Sequence, residues 1–160
     1  ILVEQAKQHK YPVVLITNQS GIARGYFSWQ AYELVTNRIV ELLGSNAPLA
    51  GIYANGHGPE APPSCWRKPS PAMLFAAAED LNLDLSRSII IGDRLTDLEA
   101  GKRAGVPWLI HVLTGHGLKE REAVEAWGNE IKNNISKKPS SDLILHKSLL
   151  DLPLSRIFCT

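Results

Sequence analysis

Residues Val13 to Phe27 read VVLITNQSGIARGYF, an apolar run that turns abruptly polar at Thr17-Asn18-Gln19-Ser20-Gly21. A short apolar run bounded by turn residues suits a strand buried on both faces of a parallel sheet. The polar tip then falls at the strand's carboxyl end, where open α/β sheets place their ligands. Thr, Asn and Ser offer short hydroxyl and amide groups, and Gly21 lets backbone N–H groups approach an anion. A phosphoryl group fits such a tip.

Working outward, the pattern alternates. Residues 1–9 read as a helix, stopped by Lys10-Tyr11-Pro12. After the tip, Ser28 is placed to cap a helix running to Leu43, with Tyr32, Val35, Ile39, Leu42 and Leu43 as its buried stripe and Gly44 closing it. Residues 49–54 form a short apolar strand, and the Gly- and Pro-rich run 55–64 is a loop. Ser70-Pro71 opens an Ala-rich helix to Leu81. Strand 88–91 ends at Gly92-Asp93, and helix 95–104 is closed by Gly105. Strand 107–113 and a helix over 120–132 follow. A polar linker spans 133–141, with Lys137-Lys138 as a solvated face. A short strand at 143–145 and a helical stretch broken at Pro153 end the chain. Strand and helix alternate throughout, so four strands, 13–16, 49–54, 88–91 and 108–113, are expected in one parallel sheet with helices on both faces.

The chain has 160 residues, the size of one domain with a sizeable core. A net charge of +1 gives no basic field for nucleic acid or a membrane surface. The 44% hydrophobic content is that of a globular protein, and no apolar run has transmembrane length. The N-terminal ILVEQAKQHK lacks the cleavage site of a signal peptide. Cys65 and Cys159 lie far apart and make no disulfide framework, which points to a reducing cytoplasm. The first residue is not Met, so further residues are expected upstream. Oligomeric state is not written in the sequence.

Two more clusters sit at or beside strand ends. Arg67-Lys68-Pro69 precedes a helix, and a lysine near a phosphate-binding tip neutralises a phosphoryl group and its transition state. Asp93 and Asp97, in Gly92-Asp93-Arg94-Leu95-Thr96-Asp97, can hold Mg²⁺ through oxygen ligands.

The order TNQSGIARGYF, then RKP with a helix, then GDRLTD resembles the haloacid dehalogenase (HAD) superfamily of phosphatases. Within it the chain is most similar to the heptose 1,7-bisphosphate and histidinol-phosphate phosphatases, over residues 1–115. The resemblance implies a Rossmannoid three-layer sandwich and a single domain over 1–160 that lacks its central N-terminal strand. It implies Mg²⁺-dependent hydrolysis of a small phosphorylated sugar through an aspartyl-phosphate, formed by the first aspartate of an Asp-x-Asp motif. Thr17 would hydrogen-bond the phosphoryl oxygen, and Asn18, Gln19 and Ser20 would line the substrate site. Lys68 would stabilise phosphoryl charge, while Arg67 and Arg94 would touch the rest of the substrate. Asp93 would ligate Mg²⁺ with Asp97 as helper. Histidinol phosphate, a nucleic-acid 3′-phosphate end, or noncatalytic phosphoryl binding are the alternatives.

Two departures from the family pattern stand out. Its members often carry a zinc loop, Cys-x-His followed by Cys-x-Cys-Arg-Lys-Pro. Here the loop reads Asn55-Gly56-His57, then Ser64-Cys65-Trp66-Arg67-Lys68-Pro69, so His57 alone is in register and no structural zinc is expected. The Asp-x-Asp motif is absent, and the family's strand carrying it lies upstream of the helix with which this chain opens.

Overall fold

A computed structural model describes residues 1–62, 65–133 and 141–152. The Lys137-Lys138 face, Pro153, Cys159 and Ser64 lie outside those residues. The described chain forms two compact units, Ile1–Arg67 and Lys68–Leu152.

In the first unit, helix α1 spans Leu2–Gln8 and strand β1 spans Val14–Asn18. The strand therefore runs through Thr17 and Asn18, two residues further than the apolar run suggests, because pairing with a neighbour continues past the last aliphatic side chain. Strand β2, Gly51–Asn55, pairs with β1 in parallel, Val14 opposite Gly51 through Asn18 opposite Asn55. The Gln19 N–H extends the ladder by donating to the Asn55 carbonyl at 2.7 Å. The remaining tip turns into a single helical turn, α2, Ser20–Ala23.

Helix α3, Trp29–Leu43, begins where expected: the Ser28 hydroxyl accepts the Ala31 N–H at 3.2 Å, satisfying one of the four N–H groups a helix start leaves over. It ends at Gly44, whose φ of 64° a side chain would resist. Its stripe corrects the sequence reading. None of its residues is buried, and Val35 and Leu42 are 61% and 70% exposed. Tyr32, Val35 and Ile39 instead line a cavity of about 420 Å³ together with Leu15, Thr17 and Phe27. The periodicity is real, but no described residue fills the space beneath it.

The second unit holds α4 (Ala72–Leu81), β3 (Ile89–Gly92), α5 (Leu95–Arg103), β4 (Trp108–His111), α6 (Gly117–Asn133) and β5 (Asp142–Leu145). Its sheet is parallel in the order β3-β4-β5. Leu98 of α5, Val106, Leu109 of β4 and Val124 of α6 are its fully buried centre, with Ile90, Trp127 and Leu143 packed against them. Helix α6 starts three residues earlier than the sequence suggests, at Gly117, and the segment before Pro153 makes one 3-10 turn, Leu149–Asp151.

The fold is the α/β arrangement of parallel strands and flanking helices that the alternation implies. The expectation of one four-stranded sheet is corrected. Among the described residues, five strands form two parallel sheets, and no strand of β1-β2 pairs with one of β3-β4-β5. Hydrophobic runs say that a strand is buried and leave open which strand lies beside it.

Candidate active site

The first unit carries Thr17, Asn18, Gln19 and Ser20 at the carboxyl end of β1 and the start of α2. The Gln19 amide Nε2 donates to the Thr17 Oγ1 at 2.9 Å. With its oxygen accepting, the Thr17 hydroxyl has its proton left to donate, which is what a phosphoryl oxygen requires. Arg67 belongs to this unit as well, its Nη1 donating to the His57 carbonyl at 3.2 Å.

The second unit brings together Lys68, Arg94, Asp97 and Asp93. Sequence distance is bridged by an ion pair: Lys68 Nζ lies 2.6 Å from Asp97 Oδ1, with 11% and 9% of the two side chains exposed. The other carboxylate oxygen, Oδ2, accepts the Arg94 N–H at 3.0 Å, a charged cap on the first turn of α5. Both oxygens of Asp97 are thus engaged, and its position is fixed by the helix it caps. Lys68 in turn is held by a nearly buried carboxylate, which fixes its ammonium group in one place.

Asp93 follows β3 directly. Its Oδ2 accepts the His116 N–H at 2.6 Å, from the loop leading into α6. Gly115 has a φ of 59°, and a Cβ on it would strike the Asp93 carboxylate, so glycine is required for this close approach. Among the described residues, Asp93 Oδ1 accepts no hydrogen bond. Arg94 extends from the same turn, its side chain 46% exposed and its guanidinium 4.0 Å from Glu120. The Glu120 carboxylate also accepts the Leu95 N–H at 3.4 Å.

Sequence reading missed His111. It is fully buried at the end of β4, and its Nε2 lies 3.2 Å from the Asp93 carbonyl. Burial pushes the imidazole below the ordinary histidine range, with the Asp93 carbonyl pulling the other way. A neutral ring donating Nε2–H to that carbonyl braces the turn that carries Asp93 and Arg94. No local signal marked it, because a histidine in an apolar strand is brought to Asp93 only by the pairing of β3 with β4.

The fit to a divalent cation is partial. Among the described residues no three His, Cys, Asp or Glu side chains are grouped to hold a metal ion. Mg²⁺ keeps several waters and takes only one or two carboxylates plus substrate phosphate oxygens, so a single carboxylate with an open oxygen, Asp93, fits as one ligand.

Comparison with known proteins follows this chemistry. A family model described as HAD-hydrolase-like matches residues 65–137. A D-glycero-beta-D-manno-heptose-1,7-bisphosphate 7-phosphatase of Haemophilus ducreyi is 38% identical over 157 residues, covering 94% of this chain and 78% of that enzyme. The chain belongs to the HAD-like hydrolases. This HAD-like chain is also 45% identical over 117 residues to a similarly named phosphatase of Mesorhizobium japonicum, covering 68% of the chain and 54% of that enzyme. It therefore spans only about half the length of that relative. Among solved structures, the D,D-heptose 1,7-bisphosphate phosphatase of B. bronchiseptica, complexed with magnesium and phosphate, superposes with a TM-score of 0.74 at 28% identity. That match covers 92% of this HAD-like chain and 75% of the other.

Proposed function

We propose that this HAD-like protein is a Mg²⁺-dependent phosphatase that hydrolyses a small phosphorylated sugar, of the heptose bisphosphate kind, in the cytoplasm. The observation that carries the reading is the Lys68–Asp97 pair, 2.6 Å apart and nearly buried, one turn from an Asp93 with an oxygen to spare. A fixed cation beside a metal-suited carboxylate suits phosphoryl transfer, where catalysis is mainly positioning and charge stabilisation. The names of the relatives and the magnesium and phosphate of the B. bronchiseptica structure support the same assignment.

The Thr17 hydroxyl donates to a phosphoryl oxygen, and Asn18, Gln19 and Ser20 line the bound phosphate. Lys68 holds positive charge against the oxygens as they gain charge. Arg67 and Arg94 bind the remainder of the substrate. Asp93 is the carboxylate that holds Mg²⁺, which when bound screens the approach of an anionic nucleophile to phosphate. Asp97 acts through Lys68. The nucleophile is an aspartate of an Asp-x-Asp strand outside residues 1–160, its aspartyl-phosphate cleaved by water.

The test is Mg²⁺-dependent phosphate release from heptose 1,7-bisphosphate by the full-length protein. Lys68→Ala should lower turnover by about 10²–10³-fold, the scale of one preorganised charge stabiliser. Residues 1–160 expressed alone should release no phosphate. Turnover by that segment would put the nucleophile within it, and Lys68→Ala near wild type would remove Lys68 from the site.

A further inference from the structure

The family's zinc loop raises the question of what holds residues 55–67 in this chain. Its ligand positions are occupied here by Asn55, His57, Ser64 and Trp66. The residues do not fit zinc. A structural site needs four nitrogen or sulfur ligands in tetrahedral array, and among the described residues no three metal-suited side chains are grouped. Cys65 is one position out of register. Its sulfur accepts the Arg67 N–H at 3.2 Å and so faces its own turn.

The same positions make other contacts. The Trp66 ring packs on Tyr53 of β2, with centroids 6.2 Å apart and planes inclined by 48°. Tilted aromatic pairs of this separation are attractive beyond the area they bury. Asn55, 3% exposed at the end of β2, donates its amide Nδ2 to the His57 carbonyl at 3.5 Å. The Arg67 guanidinium donates to that same carbonyl at 3.2 Å. The start and the end of the loop thus meet at one acceptor, while the ring of Trp66 anchors the end of the loop to the strand.

We propose that Trp66 on Tyr53, with Asn55 and Arg67 converging on the His57 carbonyl, is a metal-free staple that replaces zinc and positions the Arg67 guanidinium for substrate. Two of the four ligand positions, Asn55 and Trp66, carry side chains that make a hydrogen bond and a ring contact instead, and His57 takes part through its main-chain carbonyl. Trp66 is then a positioning residue, acting on the substrate through its neighbour. That Arg67 binds substrate rests on the phosphatase reading above; that the loop is closed without metal does not.

The experiment uses the full-length protein purified without added zinc. Elemental analysis should find no stoichiometric zinc, and a chelator should leave the melting temperature unchanged. Trp66→Ala should raise KM by about 2–10-fold, the scale of one aromatic pair, with kcat within about twofold of wild type. It should also expose the 56–66 loop to limited proteolysis. Trp66→Phe should restore both, because a ring of either kind can pack on Tyr53. Tyr53→Leu, measured beside them, should reproduce the KM rise and add little to Trp66→Ala in the double variant. Should Trp66→Ala fail to fold, Trp66→Leu and Tyr53→Leu carry the same readouts. Stoichiometric zinc whose removal lowers the melting temperature overturns the proposal. So does a Trp66→Ala protein with unchanged KM and unchanged proteolysis. A wild-type protein without turnover ends the phosphatase reading alone, since metal content, melting and proteolysis still decide the staple.

Discussion

Asp97→Asn is the most informative single change. The substitution keeps the side chain's size, and its amide oxygen can still accept the Arg94 N–H that Oδ2 accepts now at 3.0 Å. The amide NH₂ must then face the Lys68 ammonium, where Oδ1 now sits 2.6 Å away. Two donors replace a donor and an acceptor, and a cation with 11% of its side chain exposed loses its counter-charge. Removing one partner of a buried pair costs about 3–5 kcal/mol, because the other charge is left desolvated and uncompensated. The slight exposure of both groups favours the lower end. For a chain of 160 residues, about 3 kcal/mol corresponds to a drop of roughly 6–12 °C in melting temperature. Against a total stability of about 5–15 kcal/mol, that is a large fraction. The assay is a double-mutant cycle in urea with Asp97→Asn, Lys68→Met and the pair. Lys68→Met removes the ammonium that faces Asp97, so the double variant should recover much of the loss, with a coupling of about 2 kcal/mol or more. Phosphate release should fall in all three, since each displaces or removes the Lys68 charge. An Asp97→Asn protein melting within about 1 °C of wild type, with coupling below about 0.5 kcal/mol, would show that the pair contributes neither stability nor a fixed charge.

Thr17→Ala should lower turnover less than Lys68→Ala, because a neutral hydroxyl makes a weaker hydrogen bond than a charge; equal losses in kcat would contradict that ranking. Gly117→Ala should destabilise by about 1–3 kcal/mol, since a Cβ there meets the Val112 carbonyl oxygen and neither backbone can yield; an unshifted melt would show that the α6 start can move. The Ser86 hydroxyl and N–H hold the Asp84 carboxyl below its ordinary 3.8. That stabilisation is whole above the unfolded value and is lost as pH falls through the lower folded one. Asp84→Asn should therefore melt below wild type at neutral pH, with the difference closing in strong acid, and a gap that persists there would be contrary to this linkage.

The elements themselves were determined locally. The apolar runs before Thr17 and before Asp93 are β1 and β3, continuous apolar stretches without polar alternation as a parallel sheet favours, though every residue of both strands is only half-buried. Ser28 and Gly44 bound α3 because an orphan N–H wants a side-chain acceptor and a left-handed turn wants no Cβ. The candidate residues were equally local, as polar groups following apolar strands. What the sequence could not determine is which groups meet across the chain. Asp97 read as a possible metal helper, and only folding shows both its oxygens engaged, by Lys68 before α4 and by the Arg94 N–H. His111 sits in an apolar strand, and its hold on the Asp93 carbonyl follows from β3 and β4 lying side by side, a register no local pattern encodes. The α3 stripe shows the limit from the other side. Its period announces a buried face, but burial needs a partner, and Val35 and Leu42 stay exposed where none of the described residues supplies one. Periodicity and capping are fixed within a few residues by backbone sterics and hydrogen bonding. Strand neighbours, ion pairs and filled cavities depend on contacts between distant segments, and those the tertiary structure alone decides.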